Sequence, residues 1–168
     1  MPSPLHPALT RALGPDAPSD ARPVVVLGVG SPLRSDDAAG LHVAAALARE
    51  PLPGVTVIEA GPAPENFTSE IRRLRPAVVL IVDCARMGEA PGSLRVIAPE
   101  QIAGVSFGTH GLPLSVLSDY LRRETGCSVV FLGIEPLTVE PGEKLSDSCR
   151  SGVAEAVSIL RKVLSPGR

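Results

Sequence analysis

The stretch AVVLIVD at residues 77–83 constrains the fold of this 168-residue chain more than any other segment. Six apolar residues follow one another there, without the alternation expected of a strand that has one face in water. Such a run is typical of a strand that is buried on both faces, as in the centre of a parallel sheet. We therefore predict that Val78–Asp83 lies near the middle of a sheet that helices cover on both sides.

Strands and helices alternate along the rest of the chain. Short apolar runs predict further strands, and helical spacing or capping residues predict the helices between them. This order predicts a single α/β domain, a three-layer α/β/α sandwich with a mostly parallel sheet. The predicted strands are 24–27, 55–60, 77–83, 92–98 (at an edge) and 128–136, and helices are predicted at 41–50, within 61–76, within 112–126 and after a Ser146 cap up to 164.

The first 23 residues have a different composition, with six prolines and no long apolar run. We predict that residues 1–23 form a poorly ordered arm and that residues 24–168 form the domain. The arm also lacks the apolar core of a secretory signal.

Composition excludes several classes of partner. The net charge is only −2, from 16 basic and 18 acidic residues, and no basic run is present, so we expect no contact with nucleic acid or a membrane surface. No apolar stretch approaches the roughly 20 residues needed to cross a bilayer. Three cysteines without Cys-x-x-Cys spacing predict neither a disulfide framework nor a thiolate zinc site. We expect a cytoplasmic monomer.

The segment VVVLGVGSPLRSDDAAG at residues 24–40 joins a strand to a helix through a glycine turn. It fails the dinucleotide fingerprint, because Leu33 stands where the third glycine is needed, and no phosphate-loop lysine follows. Asp36 and Asp37 already place negative charge where a helix start would hold a phosphate. The turn therefore favours a cation over a nucleotide.

The two acids of this turn admit two interpretations. Asp36 as a helix N-cap and Asp37 as a first-turn acid would each stabilise the helix by up to about 1 kcal/mol. Alternatively, Asp37 contributes to a ligand site, since ligands of open α/β sheets bind outside the carboxyl ends of the strands. The residues of the turn alone leave both interpretations open.

Two other residues are expected at the same edge of the sheet. Asp83 ends the most buried strand, where a lone carboxylate is costly unless it is paired or binds a metal. His110 lies in the loop SFGTHGLPL, between glycines and before a helix. With Asp37 they form a candidate site for a divalent transition metal that leaves positions open for water or substrate. Each also has a structural interpretation, Asp83 as an acceptor for loop amides and His110 as a structural histidine.

Two more polar residues near strand ends are interpreted differently. Glu135 ends a strand as well, and we interpret it as a supporting residue or as a partner of Arg34, not as a ligand. Cys84 points away from Asp83 and is interpreted as a small core residue.

A series of motifs over residues 24–164 resembles the hydrogenase maturation endopeptidases, which trim the C-terminus of the nickel-containing hydrogenase large subunit. Residues 63–97 most resemble the branch that processes formate-hydrogenlyase-type hydrogenases. The motifs are LGVGSPLRSDDAAG, PAPENFTSEIRRLRP, LIVDCARMGEAPGSLRVI, GTHGLPL and FLGIEP.

The resemblance implies a function and a site. Asp37, Asp83 and His110 fall on the metal-binding positions of the family, and Asp37 and Asp83 are the candidate catalytic residues, with roles that are not separable. The implied partner is the precursor of a nickel-iron hydrogenase large subunit, which carries the nickel itself; another divalent metal is the alternative ion. The implied fold is a twisted sheet between helices, similar to peptidyl-tRNA hydrolases and nucleoside phosphorylases.

The resemblance also implies a reaction, the removal of a C-terminal extension from the nickel-loaded precursor. The expected mechanism is attack of water on the peptide bond, either polarised by the metal or assisted by a carboxylate as in aspartic-type proteases. Two alternatives are a nickel-binding accessory protein without hydrolytic activity and a nucleotide-binding module.

The sequence departs from the family pattern at two positions. Ser31 stands where the family usually has Asn, and Ala38 stands where it usually has Gly. Ser31 lacks an amide that would brace the loop, and Ala38 has less backbone freedom than glycine. We therefore expect the loop around Asp37 to be positioned differently from that of the family.

Overall fold

The computed structural model describes residues 3–14, 18, 22–107 and 111–165. Its main sheet has the strand order β2–β1–β3–β6–β4, and a short strand, β5, pairs with the end of β3. The strands are β1 (Val24–Val29), β2 (Val55–Gly61), β3 (Val78–Arg86), β4 (Leu94–Ile97), β5 (Ser106–Phe107) and β6 (Ser128–Ile134), and the α-helices are α1 (Leu5–Leu13), α2 (Ala39–Arg49), α3 (Thr68–Leu74), α4 (Leu114–Thr125) and α5 (Asp147–Leu164).

The position of β3 confirms the prediction made from its apolar run. It lies in the middle of the order, parallel to β1 on one side and to β6 on the other. β2 is parallel to β1, and β4 closes the other edge as an antiparallel neighbour of β6. The predicted parallel sheet and its edge strand are therefore both correct.

Helices cover both faces of the sheet, which gives the expected three layers. Val78, Leu80 and Val82 belong to one core, under α1, α2 and α5. Val79 and Ile81 belong to the other core, under α3 and α4. By the same alternation, Asp83 shares the side of α3 and α4. No helix of the described residues is long and apolar enough to cross a membrane.

The N-terminus corrects one prediction. The arm was predicted to be poorly ordered, yet Leu5–Leu13 forms α1, and Leu5, Leu9 and Leu13 are buried in the first core. Leucines four residues apart make an apolar helical stripe. Of the six prolines that suggested disorder, two precede the helix, one lies in its first turn, where proline is tolerated, and three follow it. The arm residues 1, 2, 15–17 and 19–21 lie outside the described residues.

The helix ends follow the capping residues. The Ser146 hydroxyl accepts a hydrogen bond from the backbone N–H of Cys149 at 3.2 Å, which confirms the predicted cap of α5. Gly126 ends α4 in the left-handed conformation, with φ of +71°, as a C-terminal glycine commonly does.

Candidate active site

Two glycines bring the start of α2 against the carboxyl ends of β1 and β3. A Cβ added to Gly40 would lie 2.2 Å from the carbonyl oxygen of Val82 and 2.4 Å from that of Val29. A Cβ added to Gly30, whose φ is +144°, would lie 1.9 Å from the carbonyl oxygen of Asp37. Because only glycine permits these approaches, the segment between them is held directly on the sheet edge.

Asp37 lies in this segment, in a 3₁₀ turn at Ser35–Ala38, and its residue is only 1% exposed. Its Oδ2 accepts a hydrogen bond from the backbone N–H of Ser31 at 3.1 Å. Ala38 has φ of −82°, an ordinary value for a residue with a Cβ. The two departures from the family pattern are therefore accommodated without strain, since Ser31 uses its backbone and Ala38 needs no glycine conformation.

Asp83 is buried beside Asp37. It is 1% exposed, and neither carboxylate oxygen has a hydrogen-bond partner among the described residues. Burial raises its pKa well above the ordinary value, and the charge of Asp37 raises that pKa further. The backbone N–H of Cys84 acts in the opposite direction, but it does not outweigh these two effects. The interpretation of Asp83 as an acceptor for loop amides is therefore wrong for the described loops.

Asp36 has a different role from the predicted N-cap. Its carboxylate accepts four hydrogen bonds from the distant loop after β6: backbone N–H groups of Leu137 and Thr138, and both the N–H and the hydroxyl of Ser146, at 2.7–3.3 Å. No side-chain cap is formed at the 3₁₀ turn or at α2. Burial acts to raise the pKa of Asp36, but these donors outweigh it and the net shift is downward. Asp36 therefore fixes the loop that adjoins the Asp37 turn.

The third predicted ligand, His110, lies outside the described residues, as do residues 108 and 109. The residues on either side of this gap are described. Phe107 pairs with Ala85, two residues beyond Asp83, and a Cβ at Gly111 would lie 3.1 Å from the Oε1 of Glu65. Among the described residues, no three His, Cys, Asp or Glu side chains are grouped as a metal site.

The sequence interpretation passed over Glu65. This residue lies in the 3₁₀ turn Pro64–Phe67 that follows β2, and its Oε2 is buried without a hydrogen bond from any of the described residues. It is a third acid that follows a parallel strand, so the reasoning applied to Asp37 and Asp83 also covers it. Glu135, by contrast, is a supporting residue, because its carboxylate accepts the backbone N–H of Met87 and so fixes the start of the β3–β4 connection.

The geometry defines what this edge of the sheet can do. Two buried carboxylates interact with each other, and for Asp83 the described part of the chain supplies neither a hydrogen-bond donor nor a cation. Such a pair is suited to receiving a cation, and the raised pKa of Asp83 means that this carboxyl also binds a proton more readily than a solvated one. A phosphate would meet only negative charge from these side chains.

Comparisons with known proteins all find similarity to hydrogenase maturation proteases. A family described as hydrogenase maturation protease matches residues 41–163. The hydrogenase 3 maturation protease of Escherichia coli K12 is 44% identical over 113 residues, which cover 67% of this chain and 72% of that protein. A putative hydrogenase maturation protease of Methanocaldococcus jannaschii is 32% identical over 133 residues, 74% of this chain and 79% of its own.

Among solved structures, the crystal structure of a [NiFe] hydrogenase maturation protease from Thermococcus kodakarensis KOD1 superimposes with a TM-score of 0.82. The two share 26% sequence identity, and the match covers 94% of this chain and 98% of the other. A crystal structure of a hydrogenase 3 maturation protease gives a TM-score of 0.72 at 36% identity, over 83% of this chain and 90% of that one.

Proposed function

Because the chain belongs to the hydrogenase maturation protease family, we propose that it is an endopeptidase that removes a C-terminal extension from the precursor of a nickel-iron hydrogenase large subunit. The observation that carries the proposal is the pair of buried carboxylates at the carboxyl end of the sheet, Asp37 and Asp83. Family membership supports the peptidase activity, and the pair supports recognition of a cation.

The cation in this proposal is the nickel that the precursor already carries, so it is part of the substrate. Asp37 and Asp83 supply oxygen ligands, and His110 supplies an imidazole nitrogen, a donor set that suits nickel and other divalent transition metals. A precursor without its ion offers nothing to offset the repulsion between the two carboxylates. Nickel-free precursor is therefore a poor substrate, and cleavage waits until the metal has been placed.

The chemical step is hydrolysis of a peptide bond by water. One carboxylate accepts a proton from the attacking water and passes it to the nitrogen of the departing peptide, and Asp37 and Asp83 are both candidates for this base. A nickel-bound substrate adds positive charge beside the pair and lowers the pKa of both carboxyls, which keeps a base ionised in the complex. Both an aspartic-type and a metal-assisted mechanism are consistent with this arrangement.

The setting of the reaction is part of the proposal. The three cysteines are free and buried in the structure, as suits a reducing compartment, and we infer that the protein acts as a monomer in the cytoplasm.

The test is to incubate the purified protein with nickel-loaded and with nickel-free precursor and to measure the mass of the large subunit. We expect a defined C-terminal loss from the nickel-loaded precursor and a much slower loss from the nickel-free one. Stable binding of the nickel-loaded precursor with no change in mass would instead identify a nickel-binding accessory protein. Equal cleavage of both precursors would refute recognition of the metal.

A further inference from the structure

Three exposed apolar side chains lie along α4 and the turn before it. Leu112, Val116 and Tyr120 are spaced four residues apart and are 38%, 47% and 36% exposed. Val116 and Tyr120 lie on α4, where four residues advance by about 6 Å, and Leu112 lies in the turn before the helix, next to its N-cap Pro113. Five large apolar residues are exposed among the described residues, and more than half of them lie on this line. Isolated apolar residues on a surface are ordinary, whereas an aligned set needs an explanation.

A basic depression lies at the far end of this line. Its volume is about 1180 Å³, and the described residues that line it include Arg22, Arg72, Arg73 and Arg75 and a single acid, Glu124. Arg72 and Glu124 are 3.7 Å apart and both about half exposed, so their attraction is weak. Positive charge is thus concentrated here, in a chain whose net charge is −2.

The apolar line and the basic depression are continuous. The Tyr120 hydroxyl accepts a hydrogen bond at 3.5 Å from Arg72, a residue of the depression. The other end of the line is Leu112, which follows His110 by two residues in sequence. Its neighbour Gly111 lies close to Glu65, in the turn that follows the carboxyl end of β2. We call the surface formed by Leu112, Val116, Tyr120, Arg72, Arg73 and Arg75 the α4 track.

The chemistry of the depression favours an acidic protein segment over a small anion. Arg72 and Arg73 lie in the last turn of α3, and Thr125 is the last residue of α4, so helix C-termini face the depression. Helix C-termini present carbonyl oxygens and no free N–H groups, so an anion here depends on the arginine side chains, several of which a segment with more than one carboxylate can contact. The volume also far exceeds that of a single phosphate, so one such ion would leave most of these guanidinium groups without contact.

We propose that the α4 track binds an extended segment of the hydrogenase precursor in which apolar side chains are followed by acidic ones. This inference rests on the proposed function for the identity of the partner. At about 3.3 Å per residue, about two extended residues cover the distance of about 6 Å along α4 from Val116 to Tyr120. The track supplies affinity and encounter rate at a distance from the two carboxylates, and it acts whether or not the precursor holds nickel.

The experiment compares a charge-reversed track with a matched control. Arg73→Glu with Arg75→Glu reverses two charges of the track, and Arg49→Glu reverses one charge in the last turn of α2, on the opposite face, as the control for each single reversal. With nickel-loaded precursor, we expect the KM of the double variant to be about tenfold above that of the wild type, with kcat within about twofold. We also expect the KM of the wild type to rise with salt concentration more steeply than the KM of the double variant. Arg49→Glu should match the wild type. Val116→Ser should raise KM several-fold with an unchanged salt dependence.

A second measurement separates this inference from the proposed function. Nickel-free precursor should bind the wild type and Asp83→Asn alike, and should bind the double arginine variant at least about tenfold more weakly. If the wild type cleaves precursor but the track variants have unchanged KM and unchanged binding, the track proposal is wrong and the proposed function stands. If inorganic phosphate raises the melting temperature of the wild type but not of the double variant, while KM is unchanged, the depression holds a small anion and the proposal is equally overturned.

Discussion

Asp36 offers the sharpest test of how the candidate site is held together. Its carboxylate is fully buried and accepts hydrogen bonds from three backbone N–H groups and one hydroxyl of the 137–146 loop. Asp36→Ala would leave all four donors without this acceptor. A hydrogen bond to a charged group contributes about 1.5–3 kcal/mol, but water can reach the donors next to Leu137, which is 59% exposed. We expect a loss of about 3–5 kcal/mol in the free energy of unfolding, weighted toward the two bonds from Ser146.

The assay is chemical and thermal denaturation of the purified variant. For a protein of this size, a loss of about 3–5 kcal/mol lowers the melting temperature by about 10 °C. Asp147→Asn is the matched control, because its carboxylate is 97% exposed and pairs only with Arg150 in the same helix, so its removal should cost less than about 1 kcal/mol. Asp36→Asn keeps one acceptor oxygen and should fall between the two. If Asp36→Ala is no less stable than Asp147→Asn, the four hydrogen bonds do not hold the loop and the reasoning fails.

The pH dependence follows from the direction of the Asp36 shift. A carboxyl whose pKa is lower in the folded state stabilises the protein above its unfolded pKa, near 4. This stabilisation is lost as the pH falls through the lower, folded value. The stability difference between wild type and Asp36→Ala should therefore be constant from about pH 5 to 8 and shrink below about pH 4.

Two further predictions concern other parts of the molecule. Asp83→Asn should raise the melting temperature of the metal-free protein at pH 7, because the folded-state pKa of Asp83 is raised and its ionised form therefore opposes folding. This gain in melting temperature should vanish toward pH 4. A variant that is less stable than the wild type at pH 7 would show that the charge of Asp83 is compensated in the folded protein. Deletion of residues 1–14 should lower the free energy of unfolding by several kcal/mol, since α1 buries Leu5, Leu9 and Leu13 and a fully buried leucine contributes about 1.5–3 kcal/mol. An unchanged denaturation curve would mean that α1 does not pack on the domain.

The sequence predicts those features that depend on local pattern. The apolar run at 77–83 placed β3 in the sheet centre, and the rule that ligands bind at the carboxyl ends of strands selected Asp37 and Asp83, which the structure places beside each other. The role of these two acids as ligands, and that of His110, stay predictions. The carboxyl ends of parallel strands lie at the same edge of the sheet, and for this reason Asp37 and Asp83, which are 46 positions apart in sequence, converge there.

Features that depend on long-range contacts are less accessible from the sequence. The donors to Asp36 lie 101 to 110 residues further along the chain, and no local pattern distinguishes such an acceptor from a helix cap. The six prolines of the N-terminal segment led to the prediction of a disordered arm, whereas the four-residue spacing of Leu5, Leu9 and Leu13 indicates the helix α1. Glu65 was overlooked because it follows β2 by four residues, inside a segment interpreted as the start of a helix.

The proposed requirement for nickel has a simple physical basis. Two buried carboxylates raise the free energy of the folded protein when both are ionised, and a substrate cation that lies between them removes that cost on binding. In the proposed function, part of the affinity for the nickel-loaded precursor therefore comes from relief of the repulsion between Asp37 and Asp83. A precursor that has not received its metal forgoes this gain even if all its other contacts are in place.

The most direct test of the account is the rate at which nickel-loaded precursor is processed by Asp37→Asn, Asp83→Asn and His110→Ala, followed by the mass of the large subunit. Each substitution removes a proposed ligand, and Asn keeps the size of Asp while removing its charge. We expect processing to fall by at least about 100-fold in each variant, as when a metal ligand is lost, with the fold intact and Asp147→Asn at the wild-type rate. Processing at the wild-type rate by all three variants would contradict recognition of the substrate metal by these residues.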